Sequence, residues 1–247
     1  MEWFENETFW RDLYGYMFPA ERMAAAPAQV EQVLALARLN SGAVLDLCCG
    51  PGRHSVEFAR RGFNVTGVDR SPFLLERARE HATEAAATVE WVIEDMRSFV
   101  RESSFELACN LFTSFGYFEH EQEDLEVLRN VHRSLRPGGV FILEMLGKER
   151  LARILERAVC TDLGDGALLL QRHEIRSDWS RVRNEWILLK DGRYRTFPFE
   201  HTVYSGRELK ERLFAAGFAE VELFGGLEGT PYDVDANRLV AVARKRV

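Results

Sequence analysis

Two acidic residues and two glycines carry the first chemistry that can be read from the chain. Asp46 stands four residues before Gly50, Gly52 follows, and Asp69 comes 17 residues after Gly52. The apolar run Val44 to Leu47 leads into the Gly-x-Gly turn, and a helical pattern follows it. Such a strand–turn–helix suits a nucleotide, because small residues let the backbone approach a ligand while loop amides and a helix N-terminus supply donors. Asn64 to Asp69 reads as a second strand ending in an acid, whose carboxylate can accept both hydroxyls of a ribose. Two details point away from a nicotinamide dinucleotide. Ser55 stands where Gly-x-Gly-x-x-Gly has its third glycine, and Asp46 is placed to face a cationic group. A nucleoside without a pyrophosphate, bearing a charged amino-acid tail, fits both.

Asp46-x-x-x-Gly50-x-Gly52, Asp69, Glu94-Asp95-Met96 and Pro137-Gly138-Gly139 together resemble class I S-adenosylmethionine-dependent methyltransferases. The group it looks most like comprises glycine and sugar N-methyltransferases with a sheet inserted after strand five. The resemblance implies an α/β fold, a Rossmann-like doubly wound seven-stranded sheet of order 3-2-1-4-5-7-6 with strand 7 antiparallel. It divides the chain into an N-terminal helical lid (1–40), a cofactor-binding domain (41–147 and 204–247) and an inserted antiparallel β subdomain (148–203). It implies S-adenosyl-L-methionine as cofactor, with Tyr14, Arg22, Asp46, Cys48, Gly50, Gly52, Asp69, Arg70, Asp95, Met96 and Asn110 as binding residues. Asp95 would accept the adenine amino group, which suits an acceptor-only carboxylate, and Met96 would pack on the ring. The expected reaction is in-line methyl transfer to an N or O atom of a small molecule. A hydroxyl acceptor would want a general base, for which Tyr14, Tyr117 and His201 are the candidates. No metal is needed. An RNA or protein methyltransferase, an NAD(P)-dependent oxidoreductase and a binding protein that transfers nothing stand as alternatives.

The elements that must position these residues follow from periodicity and punctuation. Phe9, Trp10, Leu13, Tyr14 and Met17 fall at helical spacing, and Pro27 to Leu39 forms a helix stopped by Asn40-Ser41-Gly42. Further helices are expected at His54 to Arg61, from Pro72 to about Ala86 behind a Ser71 cap, at Glu121 to Leu135 and at Gly206 to Ala216. Strands three, four and five read as Thr88 to Ile93, Phe105 to Leu111 and Val140 to Leu146, with Glu144 near the pocket. Phe112 to Phe118 follows strand four, where a transferable methyl would be faced. It lacks the Pro-Pro of enzymes that methylate base nitrogens. After a short helix from Lys148 to Arg157, three runs have strand character: Ala167 to Ile175, Val182 to Lys190 and Tyr194 to Tyr204. Asp191-Gly192 signals a hairpin turn between the last two. Ala219 to Phe224 and Arg238 to Arg244 supply the closing antiparallel pair.

The 247 residues suffice for one α/β domain with an embellishment. A net charge of −7 argues against a large nucleic-acid footprint, and the arginines between Arg172 and Arg195 read as the solvated edge of a small sheet. Four cysteines without a Cys-x-x-Cys pair read as reduced packing residues. No apolar run approaches the ~20 residues that span a bilayer. The acidic, aromatic start does not read as a secretory signal, so a cytoplasmic monomer or homodimer is expected, with no membrane or nucleic-acid partner.

Overall fold

The computed structural model describes residues 2–247. Asn6 caps α1 (Glu7–Met17) by accepting from the Thr8 amide at 3.1 Å. Pro19 separates it from α2 (Ala20–Ala24), and α3 (Ala26–Ala37) carries Pro27 in its first turn. Then come β1 (Ala43–Leu47), α4 (Arg53–Arg60) and β2 (Asn64–Asp69). Ser71 caps α5 (Pro72–Glu84), its Oγ accepting from the Leu74 amide at 3.2 Å. β3 (Glu90–Ile93), β4 (Phe105–Asn110), α6 (Glu121–Ser134) and β5 (Leu135–Met145) complete the alternating part.

The parallel order β3-β2-β1-β4-β5 continues through two antiparallel strands at the C-terminus, β11 (Leu239–Arg244) beside β5 and β10 (Glu220–Phe224) outside it. This is the expected 3-2-1-4-5-7-6 sheet. Its inner strands β1, β4 and β11 are buried on both faces, as a sheet covered by helices must be, while the edge strands β3 and β10 are partly exposed. In β1, Leu45 and Leu47 enter the core under α6 and α8 (Gly206–Ala215), while Val44 enters the core under α3 and α4. In β11, Ala241 and Val242 divide between the two cores in the same way. Each fully buried apolar side chain contributes roughly 1.5–3 kcal/mol.

After β5 comes α7 (Lys148–Ile154), then a four-stranded antiparallel sheet of β6 (Ala158–Gly164), β7 (Ala167–Arg176), β8 (Arg181–Lys190) and β9 (Arg193–Thr202). The sequence pattern predicts three of these strands and assigns residues up to Arg157 to the preceding helix. The helix stops earlier and β6 forms the edge. Its inner residues, Val159, Thr161 and Leu163, are only half-buried, so its alternation is weak. Asp191 and Gly192 turn the β8–β9 hairpin with φ of 52° and 68°. Val182, Asn184 and Leu188 are buried, whereas Arg183 and Leu189 on the opposite face are exposed. Against the inner face α1 lays Phe9 and Leu13, which close a cluster with Leu169, Leu188 and Phe197. Among the described residues all four cysteines are unpaired, and no helix is long and apolar enough to cross a membrane.

Candidate functional site

A cavity of about 320 Å³ opens beyond the carboxyl ends of β1, β2, β3 and β4, where strand ends of a doubly wound sheet present ligands. The two glycines of the β1–α4 turn have different tasks. Gly50 takes φ +55° and borders the cavity under the Phe18 ring. Gly52 caps α4 at φ +75°, where a Cβ would lie 2.5 Å from the Trp91 ring and 2.9 Å from the Ala78 Cβ. Gly52 is off the cavity lining, so packing of the turn on α5 and β3 requires it, rather than approach of a ligand. Ser55 also has a purpose: its Oγ donates to Asp46 Oδ2 at 2.5 Å.

Asp46, Asp69, Glu94 and Asp95 border the same cavity. Burial pushes the Asp46 carboxyl up to about 6, opposed by the Ser55 hydrogen bond and the nearby Arg53. Burial also raises Asp69, while the Ser71 and Gly50 amides, at 2.9 and 2.8 Å, favour its charged form. Asp95 behaves oppositely. Despite burial, Arg97, donating to it at 3.0 and 2.7 Å, holds its carboxyl below the usual range. Arg70 joins Asp95 to Glu5, so an ion-paired strap crosses this end of the cavity. Cys48 and Met96 meet at 3.4 Å between sulfurs and form the floor.

The roof comes from the N-terminal segment. Trp3, Phe4, Trp10, Met17, Phe18 and Arg22 border the cavity. Glu7 ties this segment to the start of α5 by accepting from Ser71 Oγ at 2.7 Å and from the Phe73 amide at 3.1 Å. Trp3 stacks on Phe199 of β9 at 4.7 Å and leans on Tyr117 at 5.0 Å.

The structure gathers most of the expected residues and leaves four off the lining. Arg22, Asp46, Cys48, Gly50, Asp69, Arg70, Asp95, Met96 and Tyr117 converge on the cavity. Tyr14 turns instead toward α5 and packs edge-on against Phe73. His201 is held inside the small sheet, accepting at Nδ1 from Asn184 Nδ2 at 3.1 Å. Its ring lies 5.1 Å from that of Tyr117, so it reaches the cavity only through that neighbour. Asn110 bonds the Leu47 carbonyl at 3.2 Å and thereby fixes the end of β1 rather than facing the cavity. Gly52 is the fourth. Tyr204 donates to Asp124 at 2.6 Å, behind the site.

The candidate bases are held neutral. Burial pushes the Tyr117 phenol up to about 12. Burial, with Arg181 and His173, pulls His201 down to about 4.

Sequence reasoning missed the other wall. Arg53 donates from Nη1 to Gln29 Oε1 at 2.5 Å and to the Arg22 carbonyl at 3.1 Å, while its Nη2 is buried without a partner. Phe112 and Thr113 follow β4 with φ of 62° and 59°, a costly conformation for non-glycine residues. Glu144 secures it: its carboxylate accepts from the Phe112 amide at 2.6 Å and its carbonyl from the Thr113 amide at 3.1 Å. Arg238, just before β11, ion-pairs with Glu144 and reaches the cavity. Glu144 therefore backs the pocket rather than lining it. Arg53 was legible as the residue after the Gly-x-Gly turn, whereas nothing local marks Arg238.

Residues 44–139 match the family described as a methyltransferase domain. The chain is 29% identical over 160 residues to a ubiquinone biosynthesis O-methyltransferase from Xanthomonas oryzae, a match covering 60% of this chain and 65% of that protein. It thus spans less than two thirds of that curated relative. An S-adenosylmethionine-dependent methyltransferase from Clostridium acetobutylicum superposes with a TM-score of 0.80 at 15% identity, covering 98% of this chain and 99% of the other. A sugar N-methyltransferase from a Streptoalloteichus species superposes with a TM-score of 0.73 at 21% identity, covering 96% and 93%. Residues 44–139 thus match a methyltransferase domain, and the superpositions give the whole chain the fold of S-adenosylmethionine-dependent methyltransferases.

Proposed function

We propose that the protein is an S-adenosylmethionine-dependent methyltransferase acting on a small molecule, and that the methylated atom is an amine nitrogen. The carrying observation is the two-sided cavity, with acids from the ends of β1, β2 and β3 on one side and the aromatic roof with Tyr117 on the other. The residues present fit the cofactor. Asp46 suits its ammonium, Asp69 the ribose hydroxyls and Met96 the adenine face, and the unpartnered Arg53 Nη2 suits its carboxylate. The bound sulfonium supplies an activated methyl, so this chain's own residues have to orient the acceptor and exclude water. Such positioning is worth up to about 7–11 kcal/mol in favourable cases.

Nitrogen is favoured over oxygen because neither Tyr117 nor His201 is poised as a base near neutral pH. His201 also accepts at Nδ1 from Asn184, which leaves its proton on Nε2. A neutral amine needs no base. A small acceptor is favoured over RNA because four of the six arginines of the small sheet are paired within the chain, Arg172 with Glu185, Arg176 with Glu174, Arg181 with Glu200 and Arg195 with Asp12. The test is incubation with methyl-labelled S-adenosylmethionine and a panel of small amines matched to hydroxyl counterparts. Label in amines alone supports the reading. Label in hydroxyls alone rejects the nitrogen assignment, and no label in any acceptor counts against the activity.

A further inference from the structure

Apart from Arg70, which is paired with Asp95 and Glu5, the arginines of the cavity gather away from its acids, around Phe112. Asp46 and Asp69 stand at the carboxyl ends of β1 and β2, and Glu94 and Asp95 follow β3. At the end of β4, three guanidinium groups surround the Phe112 ring, Arg53 at 4.0 Å, Arg238 at 5.8 Å and Arg22 at 6.0 Å from its centroid. Glu144 compensates one of them. On the reading above, the cofactor brings a single carboxylate, which Arg53 and Arg22 can take. Arg22, Arg53 and Arg238 together then carry one positive charge more than Glu144 and that carboxylate balance.

Thr113 Oγ1 accepts from the Leu146 amide at 3.1 Å and from Arg238 Nη2 at 2.8 Å. Both lone pairs of the hydroxyl are then used, so its own proton must be donated outward. Arg238 donates Nε to Glu144 and one Nη2 proton to Thr113, leaving Nη1 free beside the cavity. Two free donors on adjacent side chains, one of them cationic, form a site for an oxyanion. The strained Phe112-Thr113 backbone and the buried Glu144 hold both donors in place.

We propose that the methyl acceptor carries an anionic group, a carboxylate or a phosphate, and that Arg238 and Thr113 bind it at the β4 end of the cavity. Glu144 is a positioning residue for Arg238. This rests on the methyltransferase reading, and the experiment separates the two. S-adenosylhomocysteine affinity is measured first by calorimetry for wild type, Arg238→Gln and the double variant Arg238→Gln/Glu144→Gln. The double variant leaves no buried carboxylate unpaired. Each S-adenosylhomocysteine-saturated protein is then titrated with benzoate, phenyl phosphate and benzamide. The expected result is that one anion binds wild type at least tenfold more tightly than benzamide, and that this preference vanishes in both variants. The anion preferred identifies the group. Benzamide binding as well as both anions, neither anion binding, or an undiminished preference in the variants would overturn the proposal. If S-adenosylhomocysteine itself does not bind wild type, the cofactor reading falls and this inference falls with it.

Discussion

The seven-stranded sheet and the four-stranded sheet are held by different kinds of side chain. In the large sheet, aliphatic residues such as Leu45, Leu107, Ile142 and Val240 are buried between helices on both faces. The small sheet buries one face, and does so largely with aromatics: Trp186, Phe197 and Phe199 against Phe9, Trp10 and Trp3 of the N-terminal segment. The first arrangement presents loop ends at fixed positions, which suits a cofactor with constant chemistry. The second wraps rings around a space, and changing a few rings changes the shape of that space. The cavity lies where the two meet. Its acids come from the large sheet and its roof from residues packed on the small one.

The comparison breaks most visibly at Phe9, which is 1% exposed and central to the roof cluster. Phe9→Ala should cost roughly 3–5 kcal/mol in urea denaturation. It should weaken acceptor turnover more than S-adenosylhomocysteine binding; an equal loss of both would mean that the roof also carries the cofactor.

Gly52 tests the other side. Gly52→Ala forces a Cβ toward Trp91 at positive φ and should lower stability by roughly 1–3 kcal/mol, read as a fall in thermal midpoint. Trp91→Leu in the same chain should recover part of the loss. No recovery would place the strain in the backbone alone.

Asp46 gives the pH dependence. Its carboxyl lies above the ordinary value of 3.8, at about 6, so the free protein loses stability as pH rises from the first value through the second. Binding of a cationic tail has the opposite sign, because only the ionised carboxylate attracts it. S-adenosylhomocysteine affinity should therefore rise with pH up to about 6 and level off above it. Asp46→Asn should flatten both profiles.

The smallest effect is expected at Arg195, whose exposed pair with Asp12 links the small sheet to α1. Arg195→Ala should change stability by less than about 1 kcal/mol, and less still in high salt.

The acid-lined side of the cavity was legible in the sequence because its determinants are local. Asp46, Gly50 and Gly52 lie within one turn, and Asp69 and Asp95 each end a recognisable strand. The seven-stranded order was implied by the family those residues resemble, and the sheet has it. The roof and the β4 wall were less legible because their contacts join distant segments: Arg238 to Glu144, Trp3 to Tyr117 and Arg53 to Gln29. Periodicity placed Tyr14 on a helix but not on the helix face that meets the cavity. His201 was read as a pocket residue from its strand, whereas Asn184 across the hairpin turns it inward. Even Gly52, whose position was correctly marked, serves Trp91, 39 residues away in sequence, rather than a ligand.

The central claim is that the acids of the large sheet hold S-adenosylmethionine. Calorimetric titration of wild type and Asp69→Ala with S-adenosylhomocysteine tests it most directly. The account predicts binding of one molecule per chain to wild type. Loss of charge-assisted hydrogen bonds worth roughly 1.5–3 kcal/mol should weaken Asp69→Ala by about 10- to 100-fold. No binding to wild type, or equal affinity in the two proteins, would contradict it.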